Sequence, residues 1–138
     1  MASNGDTWMG SIGLFVLRVG ASALLFGAHG WDKVTHIAAR AKDFPDPLHV
    51  GSPASFGLVV FAEAVCTLLV ALGFFTRAAV IPIIGFLGVA FFVQHAQDPF
   101  RQKELAIVFL VPFVAIFFTG PGRFALDSWI GLRRKKSE

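Results

Sequence analysis

ASFGLVVFAEAVCTLLVALGFFT, residues 54–76, holds a single charge, Glu63, near the middle of a run long enough to cross a bilayer. A spanning helix takes roughly 20 predominantly apolar residues, and a charge at bilayer depth costs about 2.5–3.5 kcal/mol on insertion scales. Such a residue faces the protein interior and takes a partner. The pattern recurs upstream, where residues 7–31 carry Arg18 alone among Asp, Glu, Lys and Arg. One intramembrane acid and one intramembrane base thus frame the reading of the whole chain.

Composition agrees. With 55% hydrophobic residues, 15% charged and a mean hydropathy of +0.68, the chain is too apolar for an ordinary soluble domain. Its 138 residues suit one compact bundle, residues 1–138, without a second domain. The net charge of +3 does not point to nucleic acid. The basic excess gathers in Arg133, Arg134, Lys135 and Lys136 and reads as an anchor to a membrane surface. The lone Cys66 excludes an intramolecular disulfide and a CxxC redox pair.

Four apolar segments emerge, at about 8–30, 54–76, 78–96 and 105–119, the fourth being short. Met1 to Gly10 lacks Lys and Arg, so the first segment reads as a span and not as a cleaved signal peptide. Trp8, Trp31 and Trp129 fall at segment ends, the headgroup position of aromatic belts. Pro82 and Pro112 lie inside segments, which membrane helices tolerate when neighbours satisfy the freed backbone groups. Residues 31–53 form a polar loop whose first half continues the helix. The connection around Arg77 is tight and makes segments two and three an antiparallel hairpin. Gly120-Pro121-Gly122 must end the fourth helix, after which Arg123 and Asp127 read as an i,i+4 pair. Residues 123–132, with Phe124, Leu126, Trp129 and Ile130, suggest a short helix lying in the interface. The fold expected is all-α, a four-helix transmembrane antiparallel bundle with a short interfacial C-terminal helix. Lys and Arg slightly favour the terminal side, so the termini are expected in the cytoplasm.

At 100° per residue Arg18, Ser22, His29 and His36 share a stripe, with Lys33 about 60° away. Counting about 1.5 Å per residue from each segment end puts Arg18 and Glu63 within about 5 Å of one height in a ~30 Å core. An Arg18–Glu63 ion pair follows as the natural expectation. It is either a staple that sets helix register or the catalytic floor of a polar cavity. His29, Lys33, Gln94, His95, Lys103 and Glu104, with Asp32, gather at the end opposite the termini and would rim that cavity. No HxxxH or HxxE spacing supports a metal site, and no built-in cofactor is expected. A quinone headgroup fits donors at the rim beside an apolar slot lined by Phe26, Phe61, Phe91 and Phe92.

Taken in order, these residues resemble the DoxX family of small four-helix membrane proteins. The resemblance is carried by Leu17-Arg18, Gly27, His29-Gly30 and Lys33, then Glu63 followed by Leu72-Gly73-Phe74-Phe75-Thr76-Arg77. It ends on Lys103-Glu104 and Gly120-Pro121-Gly122-Arg123-Phe124-Ala125-Leu126-Asp127, covering about residues 12–130. Ala125 departs from the serine frequent in the family, which would weaken a polar cap near Asp127. The resemblance implies a redox-linked component of a bacterial-type plasma (inner) membrane. Named members include a subunit of archaeal thiosulfate–quinone oxidoreductase and a bacterial scaffold linking antioxidant enzymes. A quinone-interacting role is therefore expected, with a non-catalytic scaffold as the alternative and a small-solute transporter third. Besides the lipid bilayer, a protein partner or a second copy is the expected associate.

Overall fold

The structure, a computed structural model, describes residues 8–136, with side chains described to residue 131. Helix α1 spans Trp8–Thr35, α2 Ser52–Leu72, α3 Thr76–Gln94 and α4 Phe100–Thr119. Among the described residues these four are long and apolar enough to cross a membrane, which establishes the multi-pass all-α fold. A fifth helix, α5, spans Leu126–Lys136. The side chains of the basic cluster Arg133 to Lys136 lie outside those described.

The observed ends differ from the apolar segments for local reasons. Helix α1 has 28 residues because Trp31 to Thr35 keep a helical backbone after the apolar run ends, and one further turn, Ile37–Arg40, follows. Helix α4 reaches 20 residues because its polar first turn, Phe100 to Lys103, starts directly after Pro99. Pro99, with φ −55° and ψ 147°, is extended and cannot join the preceding helix. Helix α5 begins at Leu126, so Arg123 precedes it and the helical i,i+4 relation to Asp127 does not hold.

Neighbours in sequence are neighbours in space: α1 packs on α2 and α4, and α3 packs on α2 and α4. The shared core is Leu25, Val70, Val80, Ile83, Phe113 and Ile116, each at most 1% exposed. Lipid tails are as apolar as these side chains, so van der Waals packing and interhelical hydrogen bonds hold the bundle, not water exclusion. Trp8, Trp31 and Trp129 remain exposed on the outside.

The α2–α3 hairpin turns on two left-handed residues, Gly73 (φ 72°) and Phe75 (φ 48°). A non-glycine residue rarely adopts the second conformation, and the C-terminal segment holds it there. The Asp127 carboxylate accepts hydrogen bonds from Phe75 N (2.8 Å), Thr76 N (2.9 Å) and Thr76 Oγ1 (2.8 Å). Asp127 N in turn donates to Gly73 O (2.8 Å). Asp127 therefore caps α3 from across the chain, supplying acceptors that the first turn of a helix needs. These bonds are all made with Ala125 in place. It is buried, and a Cβ on Gly73 would collide with its methyl group; Ser128 Oγ supplies the nearby polar contact by donating to Gly122 O (2.6 Å). Gly120 (φ 82°) ends α4, with the Arg77 guanidinium 3.3 Å from where a Cβ would stand. Arg77 Nη2 also reaches Phe118 O at 3.5 Å.

Candidate functional site

The two intramembrane charges are both buried, at 1% exposure each, but they are not partners. Arg18 Nη1 donates to Val70 O (2.9 Å) and Ala71 O (2.5 Å), and Nη2 donates to Phe124 O (2.7 Å). The guanidinium thus meets the last carbonyls of α2, where Val70 O also accepts from Gly73 N (3.0 Å), and sits at the negative end of the helix dipole. The Phe15 ring lies 5.7 Å from its carbon centre. Glu63 is two turns deeper along α2 than Val70, about 10 Å. The expected Arg18–Glu63 pair does not form, because Arg18 stands level with Val70 and Ala71 at the end of α2 and the two turns between them and Glu63 exceed the reach of an ion pair.

Glu63 instead binds Lys33, whose Nζ donates to Glu63 Oε2 at 2.6 Å and to His29 O at 3.3 Å. The lysine side chain is 14% exposed and the glutamate 2%. Gly30 permits the pairing: a Cβ there would stand 2.6 Å from Glu63 O, so only glycine lets α1 and α2 approach this closely. Thr67 Oγ1 donates to Glu63 O (2.5 Å) and Ala64 O (3.0 Å), tying down the backbone beneath.

The pair lines a cavity of about 730 Å³. His29 from α1, Gln94 and His95 from the end of α3, and Gln102 and Lys103 from α4 line the same space. The remaining walls are mostly apolar, including Leu25, Val59, Pro82, Phe86, Leu87 and Phe109. His29 meets Phe109 edge to face, ring centres 6.0 Å apart. Leu58 and Phe61, at 59% and 47% exposure, lie on its edge, so the cavity opens toward the lipid-facing surface of α2. Of the residues expected at the rim, His29, Lys33, Gln94 and His95 are brought together. Glu104 is exposed and does not line the cavity. One residue along α4 turns it about 100° away from its neighbour Lys103, which does. Arg18 is absent from the lining too.

Three of the four helices that meet here are wound as a π-helix over one turn: Phe26–Gly30, Phe61–Cys66 and Ala90–Gln94. These turns hold His29, Glu63 and Gln94. Single π turns inside α-helices are frequent at functional sites, and three bordering one cavity mark this end of the bundle. No residue pattern in the sequence announced them, since a π turn is decided by what the helix packs against.

The loop after α1 closes one side through Phe44, Pro45, Pro47 and Leu48, with Phe44 edge to face on Phe56 at 5.2 Å. Asp46 organises it, accepting from Val50 N (3.0 Å), Gly51 N (2.7 Å) and Ser55 Oγ (2.6 Å). This role was legible only as a polar residue shortly before a helix start, since the bonds depend on the loop's turn. The Ser55 hydroxyl and then the two amides hold the Asp46 carboxyl below the usual carboxylate range, outweighing a smaller desolvation effect. A depressed folded-state value means the contribution is present above the unfolded pKa of about 3.9 and is lost as pH falls through the folded value. Hydrogen exchange should find the Val50 and Gly51 amides protected at neutral pH and released in acid, with Asp46→Asn lowering protection at neutral pH. Protection unchanged by acid and by that substitution would show that another group orders the loop.

Comparison with curated proteins and with solved structures finds no match. The DoxX family profile matches residues 13–96, which takes in α1 from Gly13 onward, α2, α3, the Lys33–Glu63 pair and all three π turns. With four membrane-spanning helices in the expected order, the chain belongs to the DoxX family.

Proposed function

We propose that the protein is a redox-linked membrane component that binds a lipid-soluble ligand, a quinone, in the cavity above Lys33 and Glu63. The observation that carries this reading is an ion pair of buried Glu63 and part-buried Lys33 facing a largely apolar cavity of about 730 Å³. Ionisable residues at membrane depth are expensive and mark ligand or proton sites by default. Lys33 offers an ammonium to a carbonyl oxygen and stabilises negative charge developing on it, and Glu63 exchanges a proton beside it. The apolar walls take the ring, and the edge at Leu58 and Phe61 lets a tail reach the bilayer. The orientation that accompanies this reading places both termini in the cytoplasm of a bacterial-type inner membrane, supported by the basic run Arg133 to Lys136.

Titrating the protein in lipid nanodiscs with 2-methyl-1,4-naphthoquinone tests it. Saturable binding is expected, weakened about tenfold or more by Lys33→Met, the loss of one charge-assisted hydrogen bond, and more modestly by His29→Ala. Affinity unchanged by both substitutions, or no saturable binding, would overturn the site and leave a non-catalytic scaffold as the better account of the chain.

A further inference from the structure

Beside the ion pair, a second polar group lines the cavity: His95, which closes α3. Its Nδ1 lies 2.6 Å from Asp98 Oδ2, and Asp98 N donates to His95 O (3.1 Å), so the α3–α4 turn holds the two side chains together. Asp98 does not line the cavity. An ionised carboxylate only accepts, so Nδ1 carries the hydrogen of this bond. In the neutral ring Nε2 is then a lone pair, an acceptor. The neighbouring lysine does not occupy it: Lys103 Nζ donates to Ala96 O (3.2 Å) and stands 5.1 Å from the Phe91 ring centre. The other titratable groups lining the cavity are His29, Lys33 and Glu63, with Lys33 and Glu63 bound to each other.

The two polar groups thus ask for different chemistry. Lys33 presents hydrogen-bond donors, whereas the His95–Asp98 dyad presents an acceptor. A quinone has carbonyl oxygens, acceptors only, and has nothing to give Nε2. A quinol has hydroxyl groups, each able to accept from Lys33 or donate to Nε2. We infer that the His95–Asp98 dyad makes the cavity select the reduced, hydroxyl-bearing form of its ligand, a quinol, over the quinone. This rests on the reading of the cavity as a quinone site. His95 touches the ligand; Asp98 is a positioning residue that sets which ring nitrogen bears hydrogen. No covalent step is involved: the hydroxyl donates to Nε2 and the ligand leaves unchanged.

The test compares 2-methyl-1,4-naphthoquinone with its anaerobically maintained quinol, bound to the nanodisc-embedded protein at mildly alkaline pH. The quinol should bind about tenfold more tightly, the effect of roughly one buried hydrogen bond. His95→Phe should remove the preference, so that the two forms bind equally. Asp98→Asn should remove it as well, because its amide can donate to Nδ1 and leave the hydrogen on Nε2. Nitrogen-15 NMR of the His95 ring supplies a readout that a merely structural role would not move, with Nδ1 protonated in the parent protein and Nε2 in Asp98→Asn. Equal binding of the two forms, a preference that survives in both variants, or a parent ring protonated at Nε2 would overturn the dyad's role while leaving the site itself standing. Failure of both forms to saturate would instead overturn the quinone reading beneath it.

Discussion

Arg18→Met should destabilise the folded protein by about 2–6 kcal/mol, the cost of leaving two carbonyls without a donor, while leaving cavity affinity unchanged in the folded fraction. The guanidinium satisfies Val70 O, Ala71 O and Phe124 O together. Its removal strands Ala71 O and Phe124 O, each costing about 1–3 kcal/mol when left unmade, whereas Val70 O keeps its bond from Gly73 N (3.0 Å). It also releases the C-terminal segment from α2, so the Asp127 amide bonded to Gly73 O should lose protection from hydrogen exchange. Arg18→Lys should restore only part of the stability, because an ammonium cannot span the geometry of a planar fork. Steric-trapping or denaturant titration in bicelles measures the first quantity and quinone titration the second. A large loss of ligand affinity in a fully folded Arg18→Met protein would return this residue to the cavity and overturn its role as a clasp.

The second large effect concerns Lys33 and Glu63. A double-mutant cycle with Lys33→Met and Glu63→Leu should give a coupling of about 2 kcal/mol. That exceeds the ~0.6 kcal/mol mean for interhelical hydrogen bonds in membranes, because the bond is charge-assisted. Glu63→Gln alone should cost about 1–3 kcal/mol. Lys33 is 14% exposed and can swing its ammonium toward water along its apolar stem, so the cost stays below that of a sealed pair. The double variant, apolar throughout, should fold nearly as well as the parent and bind no quinone. The parallel cycle of Arg18→Met with Glu63→Gln should be additive within about 0.5 kcal/mol. Additivity between Lys33 and Glu63, or strong coupling between Arg18 and Glu63, would reverse the assignment of partners.

The bundle itself was legible. Four apolar runs, tryptophans at their ends and the Gly120-Pro121-Gly122 stop define spans and turns because a membrane admits few alternatives to a helix. Half of the site was legible as well. Glu63, His29, Lys33, Gln94 and His95 stand out as polar groups in or beside apolar runs, and they do line one cavity. Arg18 stood out for the same reason and proved to belong elsewhere. Asp98 and Asp46 did not stand out, since polar residues in loops are ordinary and only their bonds to His95 and to Ser55 distinguish them.

What the amino-acid order determined by itself is which segments cross the membrane and which residues carry charge into it, because hydropathy over ~20 residues and the cost of a buried charge are local properties. Who pairs with whom was decided in three dimensions. The close approach at Gly30 and the C-terminal segment folded back through Asp127 set heights and faces that no local property fixes. An ion pair forms or fails within a few ångströms. Glu63 therefore met Lys33, and Arg18 met the carbonyls at the end of α2.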